Sequence, residues 1–128
     1  MVERAHVRTG ATGTVPPTAH PDIVLITRHY YVVIENIAYF YRDGNNVFIR
    51  LITSEDYILN QSLDAIEPRL DKRYFSRVPR YMIANHDAIN AYHPLKQGKL
   101  GLTLRPEYRE PVYVSKPTAR KFKQWFEV

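Results

Sequence analysis

Between residues 22 and 60 the chain packs five short apolar runs: 22–27 (DIVLIT), 30–34 (YYVVI), 37–41 (IAYFY), 47–53 and 56–60, with breaks of two to five residues between them. A helix needs roughly 10–12 residues to bury a stripe, so runs of this length, rich in Val, Ile, Tyr and Phe, read as strands. Breaks this short can join only antiparallel neighbours, because a parallel pair needs a crossover of a dozen or more residues. The pattern therefore predicts an antiparallel meander. Its strongest turn signal is Asp43-Gly44-Asn45-Asn46, since Asn, Asp and Gly tolerate the positive φ of a tight hairpin.

Downstream, Ser62 is a candidate N-cap, Asp64 sits in the first turn, and Leu63, Ile66 and Leu70 fall at helical spacing. Pro68 conflicts with a continuing helix because it lacks a backbone donor, so a short or kinked helix is expected over 62–70. Strand signals return at 74–78, 81–84, 88–93 and 98–105, the last with Leu100, Leu102 and Leu104 on one face and Gly101 and Thr103 on the other. A final strand, 111–114, leads to Ser115 as N-cap of a helix reaching about Phe126. Pro117 is tolerated in its first turn, and Ala119, Phe122, Trp125 and Phe126 form its apolar stripe. The expected fold is mainly β, with about ten short antiparallel strands, a short central helix and a C-terminal helix. Residues 1–21 hold Gly10, Gly13, Pro16, Pro17 and Pro21 among isolated apolar residues. Such a stretch buries too little to offset its ordering entropy. It is read as a flexible tail or linker ahead of one domain over 22–128.

Several classes are excluded. At 128 residues the chain is a single ordinary domain. The most apolar stretch, 30–41, is broken by Glu35 and Asn36, so no membrane span is expected, and the start of the chain has no apolar signal-peptide core. With no cysteine there is no disulfide frame, thiolate metal site or catalytic thiol. A cytoplasmic protein of bacterial type fits these features. No two of the five histidines (His6, His20, His29, His86, His93) stand three or four apart, Glu55-Asp56 reads as a solvated turn, and neither a phosphate loop nor a nucleophile elbow is present. Neither an enzyme, a metal site nor a cofactor is expected.

Charge is more informative. The first 64 residues carry five Lys/Arg against seven Asp/Glu, and the second 64 carry thirteen against six. A basic half on a compact domain suits a polyanion, most often nucleic acid, although it also serves solubility. The donors fall in three groups: Arg42, Asn45 and Asn46 at the first hairpin; Lys72, Arg73, Arg77 and Arg80 around Pro79; and Lys116, Arg120, Lys121 and Lys123 on the last helix. Each alone also reads as turn chemistry or a solvated face. Together, on a β scaffold, they suit DNA. Tyr30, Tyr31, Tyr39 and Tyr41 fit cross-strand packing, with base stacking as the alternative.

The 75–85 segment FSRVPRYMIAN resembles the signature of LytTR DNA-binding domains, roughly F-x-R-V-H-R-S-[FY]-[IL]-V-N. Collinear with it, IENIAYFYRDGNNVFIRL (34–51) resembles the family's strand and first hairpin. SLDAIEPRL resembles its short helix, and YVSKPTARKFKQW its closing strand and helix. The likeness runs from about Asp22 to Phe126. It implies small stacked antiparallel sheets and a bacterial transcription regulator, usually with a receiver or sensor domain upstream. It also implies sequence-specific double-stranded DNA binding, with loop side chains entering successive major grooves of imperfect direct repeats, and a dimer on DNA.

By that resemblance the contacts fall on residues 42–47, on 77–81 with Arg80 in the base-reading position and Tyr81 at the loop exit, and on 116–120, with Lys121 beside them. Three positions depart from the pattern: Pro79 replaces His, Tyr81 replaces a small Ser, and Pro117 stands where some members carry Arg. Two rival readings remain: a module for single-stranded nucleic acid, and a basic face for an acidic protein.

Overall fold

The computed structural model describes residues 7–9, 23–25 and 30–128, with side chains from residue 31 onward. The described elements are β1 (Val7–Thr9), β2 (Ile23–Leu25), β3 (Tyr30–Val33), β4 (Ile37–Asp43), β5 (Asn46–Leu51), β6 (Asp56–Leu59), α1 (Leu63–Ile66), β7 (Phe75–Ser76), β8 (Met82–Asn85), β9 (Ile89–Pro94), β10 (Leu100–Leu104), β11 (Val112–Val114) and α2 (Lys116–Phe126). They form antiparallel sheets in the orders β1-β3-β2, β6-β5-β4-β8-β7 and β11-β10-β9. The expected mainly β fold with two helices is therefore what the chain adopts.

The expected single meander is divided between two sheets. A 3-10 turn, Ile34–Asn36, separates β3 from β4. β3 joins β1 and β2, while β4, β5 and β6 continue in the central sheet. β1 lies inside the stretch read as a tail, and its residues pair as Val7↔Val32, Arg8↔Tyr31 and Thr9↔Tyr30. The rest of residues 1–21, the break Arg28-His29, and His6, His20 and His29 lie outside the described residues.

β4 is the middle strand of the central sheet and is buried on both faces, which is why IAYFY shows no alternation. A register shift between Ile37 and Tyr39 turns Ala38, Tyr39 and Tyr41 towards one layer, while Ile37 and Phe40 face the other. The first layer joins the central sheet to β9–β11 and to Ala119 and Phe122 of α2. The second joins it to Leu63 and Ile66 of α1, with Val32 from β3. Ser62 caps α1, its side chain accepting from the Ala65 amide at 3.1 Å. As Pro68 required, α1 stops at Ile66 and a 3-10 turn, Glu67–Arg69, takes the proline. No helix among the described residues is long and apolar enough to cross a membrane.

Candidate nucleic-acid interface

β4 and β5 pair out to Asp43↔Asn46, leaving Gly44 and Asn45 as a two-residue turn. Gly44 sits at φ +64° while Asn45 stays at negative φ, the pattern of a turn with glycine in its first central position. A side chain on Gly44 would meet no atom within 4 Å, so backbone conformation alone requires glycine here. The tight turn leaves Arg42, Asp43, Asn45 and Asn46 exposed at the tip.

The 77–81 loop lies against this hairpin. Beyond the last ladder pair, Tyr41↔Met82, the Arg42 amide donates to the Tyr81 carbonyl at 2.9 Å. Val78 is buried in the core, its bond to Pro79 is cis, and the Met82 amide closes on the Pro79 carbonyl at 3.1 Å. Arg77 and Arg80 have different surroundings. The Arg77 side chain is only 23 % exposed and donates from Nη1 to Asp64 Oδ1 at 2.6 Å and Glu67 Oε1 at 3.1 Å. Its Nε donates to the Arg80 carbonyl at 2.9 Å. The hydrogen bond from Arg77 holds the Asp64 carboxyl below the usual carboxylate range. The Arg80 side chain is exposed, and its guanidinium has no ion-pair partner among the described residues. Arg77 thus ties the loop to α1 while Arg80 points into solvent.

Arg42, Asn45, Asn46 and Arg77 line one groove of about 520 Å³ together with Ile58 and Asp64. A second groove of about 390 Å³ joins Arg42 and Asp43 to Tyr81, Tyr108 and Arg109. Arg109 was not expected from sequence, because in RPEYRE alternating charges within a turn form no cluster. Its guanidinium lies 5.0 Å from the Tyr108 ring, 5.9 Å from the Tyr41 ring and 3.4 Å from Asp43. The 105–111 loop that carries it is fixed to the hairpin strands. Tyr39 donates its hydroxyl to the Pro106 carbonyl at 2.9 Å, and Arg50 Nη1 donates to the Glu107 carbonyl at 3.2 Å. Arg50 also forks onto Asp56, which accepts from the Tyr41 hydroxyl at 2.8 Å. Burial pushes the Tyr39 phenol up to about 12 against the opposing pull of Arg50.

The third group stands on α2. Ser115 occupies the N-cap position through its backbone, its carbonyl accepting from the Thr118 amide at 3.1 Å, with no side-chain cap to the helix. Lys116 packs on the 95–99 turn and lines neither groove. Arg120, Lys121 and Lys123 are exposed, without a carboxylate partner among the described residues. The far end of the helix is anchored. Trp125 Nε1 donates to the Lys72 carbonyl at 2.8 Å, and His86 Nε2 donates to the Phe126 carbonyl at 2.7 Å. Of the other two donors expected around Pro79, Lys72 is exposed, whereas Arg73 is paired with Asp71 at 2.8 Å.

A stacking platform on the strands does not form from Tyr39 and Tyr41. Both are buried, in edge-to-face contact with each other and with Tyr108. The layer between the sheets covers the faces that bases would need.

The family profile described as the LytTr DNA-binding domain matches residues 27–127. No curated protein matches the sequence. Among solved structures, the chain is similar to the LytTr DNA-binding domain of a Bacillus cereus protein described as a methyl-accepting/DNA response regulator, at a TM-score of 0.67 and 21% identity. The match covers 83% of this chain and 95% of that one, and carries the fold. Hairpin, central loop and closing helix fall in the matched segment in the expected order, and the chain belongs to the LytTR family of DNA-binding domains.

Proposed function

We propose that this domain binds double-stranded DNA in a sequence-specific way, as the reading part of a bacterial transcription regulator. One observation carries the proposal: the hairpin tip and the 77–81 loop are hydrogen-bonded together at Arg42 and Tyr81, and Arg80, the residue before Tyr81, is exposed. Two rigidly coupled loops on a β scaffold present donors at a fixed spacing, which base reading requires. Arg80 reads a guanine edge and Asn45 or Asn46 an adenine edge. Arg120 and Lys121, with Lys72 and Lys123, supply salt-dependent phosphate contacts. Lys116 at the start of α2 adds a contact to a neighbouring groove, and two copies on paired direct repeats complete the site. Arg77 acts as a positioning residue that holds the loop against α1.

Selection of the domain on a randomised duplex library, read by sequencing, tests this. Enrichment of paired short repeats about one helical turn apart is expected, and retention of bulk DNA without any enrichment would remove the sequence-reading role. On the selected site Arg80→Ala should cost about 1–3 kcal/mol and relax preference at one position. Arg77→Ala should instead weaken the selected site more than random duplexes, by loosening the loop that carries Arg80, and lower stability by about 1 kcal/mol, since its bonds to exposed carboxylates are partly screened. Equal losses on specific and random duplexes for Arg80→Ala would make it a phosphate contact.

A further inference from the structure

The chain has no carboxylate between Asp87 and Glu107, and none between Glu110 and Glu127. These two stretches fold onto one another as the β9–β10–β11 sheet and α2. At one end of that unit the 95–99 turn is closed by the Leu95 amide on the Lys99 carbonyl at 2.8 Å, and it turns through Gln97 at φ +63° and Gly98 at φ +77°. The Lys116 stem lies on this glycine, since a Cβ there would stand 2.8 Å from Lys116 Cγ. The Lys99 ammonium sits 5.1 Å over the half-exposed ring of Tyr113. Lys96 is exposed and without a partner among the described residues. Three lysines from two elements thus meet at one turn, and Arg120 follows Lys116 on the same helix face.

This arrangement opposes the helix that borders it. The positive end of a helix dipole favours acids in the first turn, yet the first turn of α2 holds none and begins with Lys116. A surface serving solubility alone would intersperse both signs. Here repulsion accumulates at a helix N-terminus where an anion would relieve it.

We propose that Lys96, Lys99 and Lys116 form a clamp for the DNA phosphate backbone, with the 95–99 turn as a contact element in addition to the three placed above. The proposal rests on the DNA-binding reading and extends it from Lys116 to the neighbouring 95–99 turn, whose Lys96 and Lys99 that reading leaves unused. The test measures binding of the intact chain to a short mixed-sequence duplex across a range of KCl concentrations, comparing wild type, Lys96→Gln/Lys99→Gln and Arg80→Ala. At about 0.9 per phosphate contact, the double variant should flatten the slope of log K against log salt by roughly 1.8. Its thermal midpoint should hold or rise, because removing these charges relieves repulsion. A slope equal to wild type would overturn the clamp while leaving the DNA reading intact. If wild type failed to hold duplex but bound poly-glutamate, the DNA reading would fall and the clamp with it.

Discussion

Arg50 and Arg80 show how little a residue's type says about its role. Both are arginines on or beside the central sheet. Arg50 forks onto Asp56, bonds the Tyr39 hydroxyl at 3.1 Å and holds the 105–111 loop by the Glu107 carbonyl. Arg50→Ala would leave Asp56 and two phenols short of partners in a half-buried site, and a loss of about 2–4 kcal/mol is expected in urea denaturation. Arg50→Lys should recover little of that, because one ammonium cannot reproduce the planar fork. Full stability in Arg50→Lys would show that charge alone suffices. Nothing local in the sequence separates Arg50 from Arg80 or Arg77. The distinction comes from Asp56 one strand away and from Asp64 and Glu67 on and after α1.

At the scale of elements, the two glycine turns make a controlled pair. Gly44 and Gly98 both lie at positive φ, +64° and +77°, a region that costs other residues roughly 1–2 kcal/mol. At Gly44 an added methyl meets open space, whereas at Gly98 it meets the Lys116 stem at 2.8 Å. Gly98→Ala should therefore destabilise the domain more than Gly44→Ala in thermal denaturation. Equal losses would mean that the stem moves aside freely. The Gly44 turn was legible because Asp-Gly-Asn-Asn stands between two short apolar runs. The Gly98 turn was not, because nothing in LKQGK announces that a helix beginning eighteen residues later will rest on it. α1 and its proline-driven end were legible for the same local reason as the first hairpin. The 74–78 strand was overextended, since only Phe75 and Ser76 pair and Val78 turns inward to the core.

Across the whole molecule, the layer between the central sheet and β9–β11 is built on phenols. Tyr39, Tyr41, Tyr81 and Tyr108 are all raised by burial above the ordinary value of 10.0, Tyr39 to about 12. A raised acid binds its proton more tightly in the folded state. These groups therefore contribute their full stabilisation below about pH 10, and that contribution is lost as pH rises through the folded values. Stability should fall between about pH 10 and pH 12, less steeply in Tyr39→Phe than in wild type. An unchanged alkaline slope in that variant would place the loss elsewhere. The sequence by itself determined the class: runs too short for helices and breaks too short for crossovers leave antiparallel β, and the collinear RVPR segment, hairpin and closing helix mark the family. It also located the loops that carry donors, because loop chemistry is local. Only the tertiary structure decided which strands share a sheet, which arginines are engaged inside the protein, and that Arg109 joins the hairpin while Lys96 and Lys99 join α2. Those outcomes depend on pairings between residues distant in the chain, and strand patterns fix which face is apolar without naming the partner that covers it.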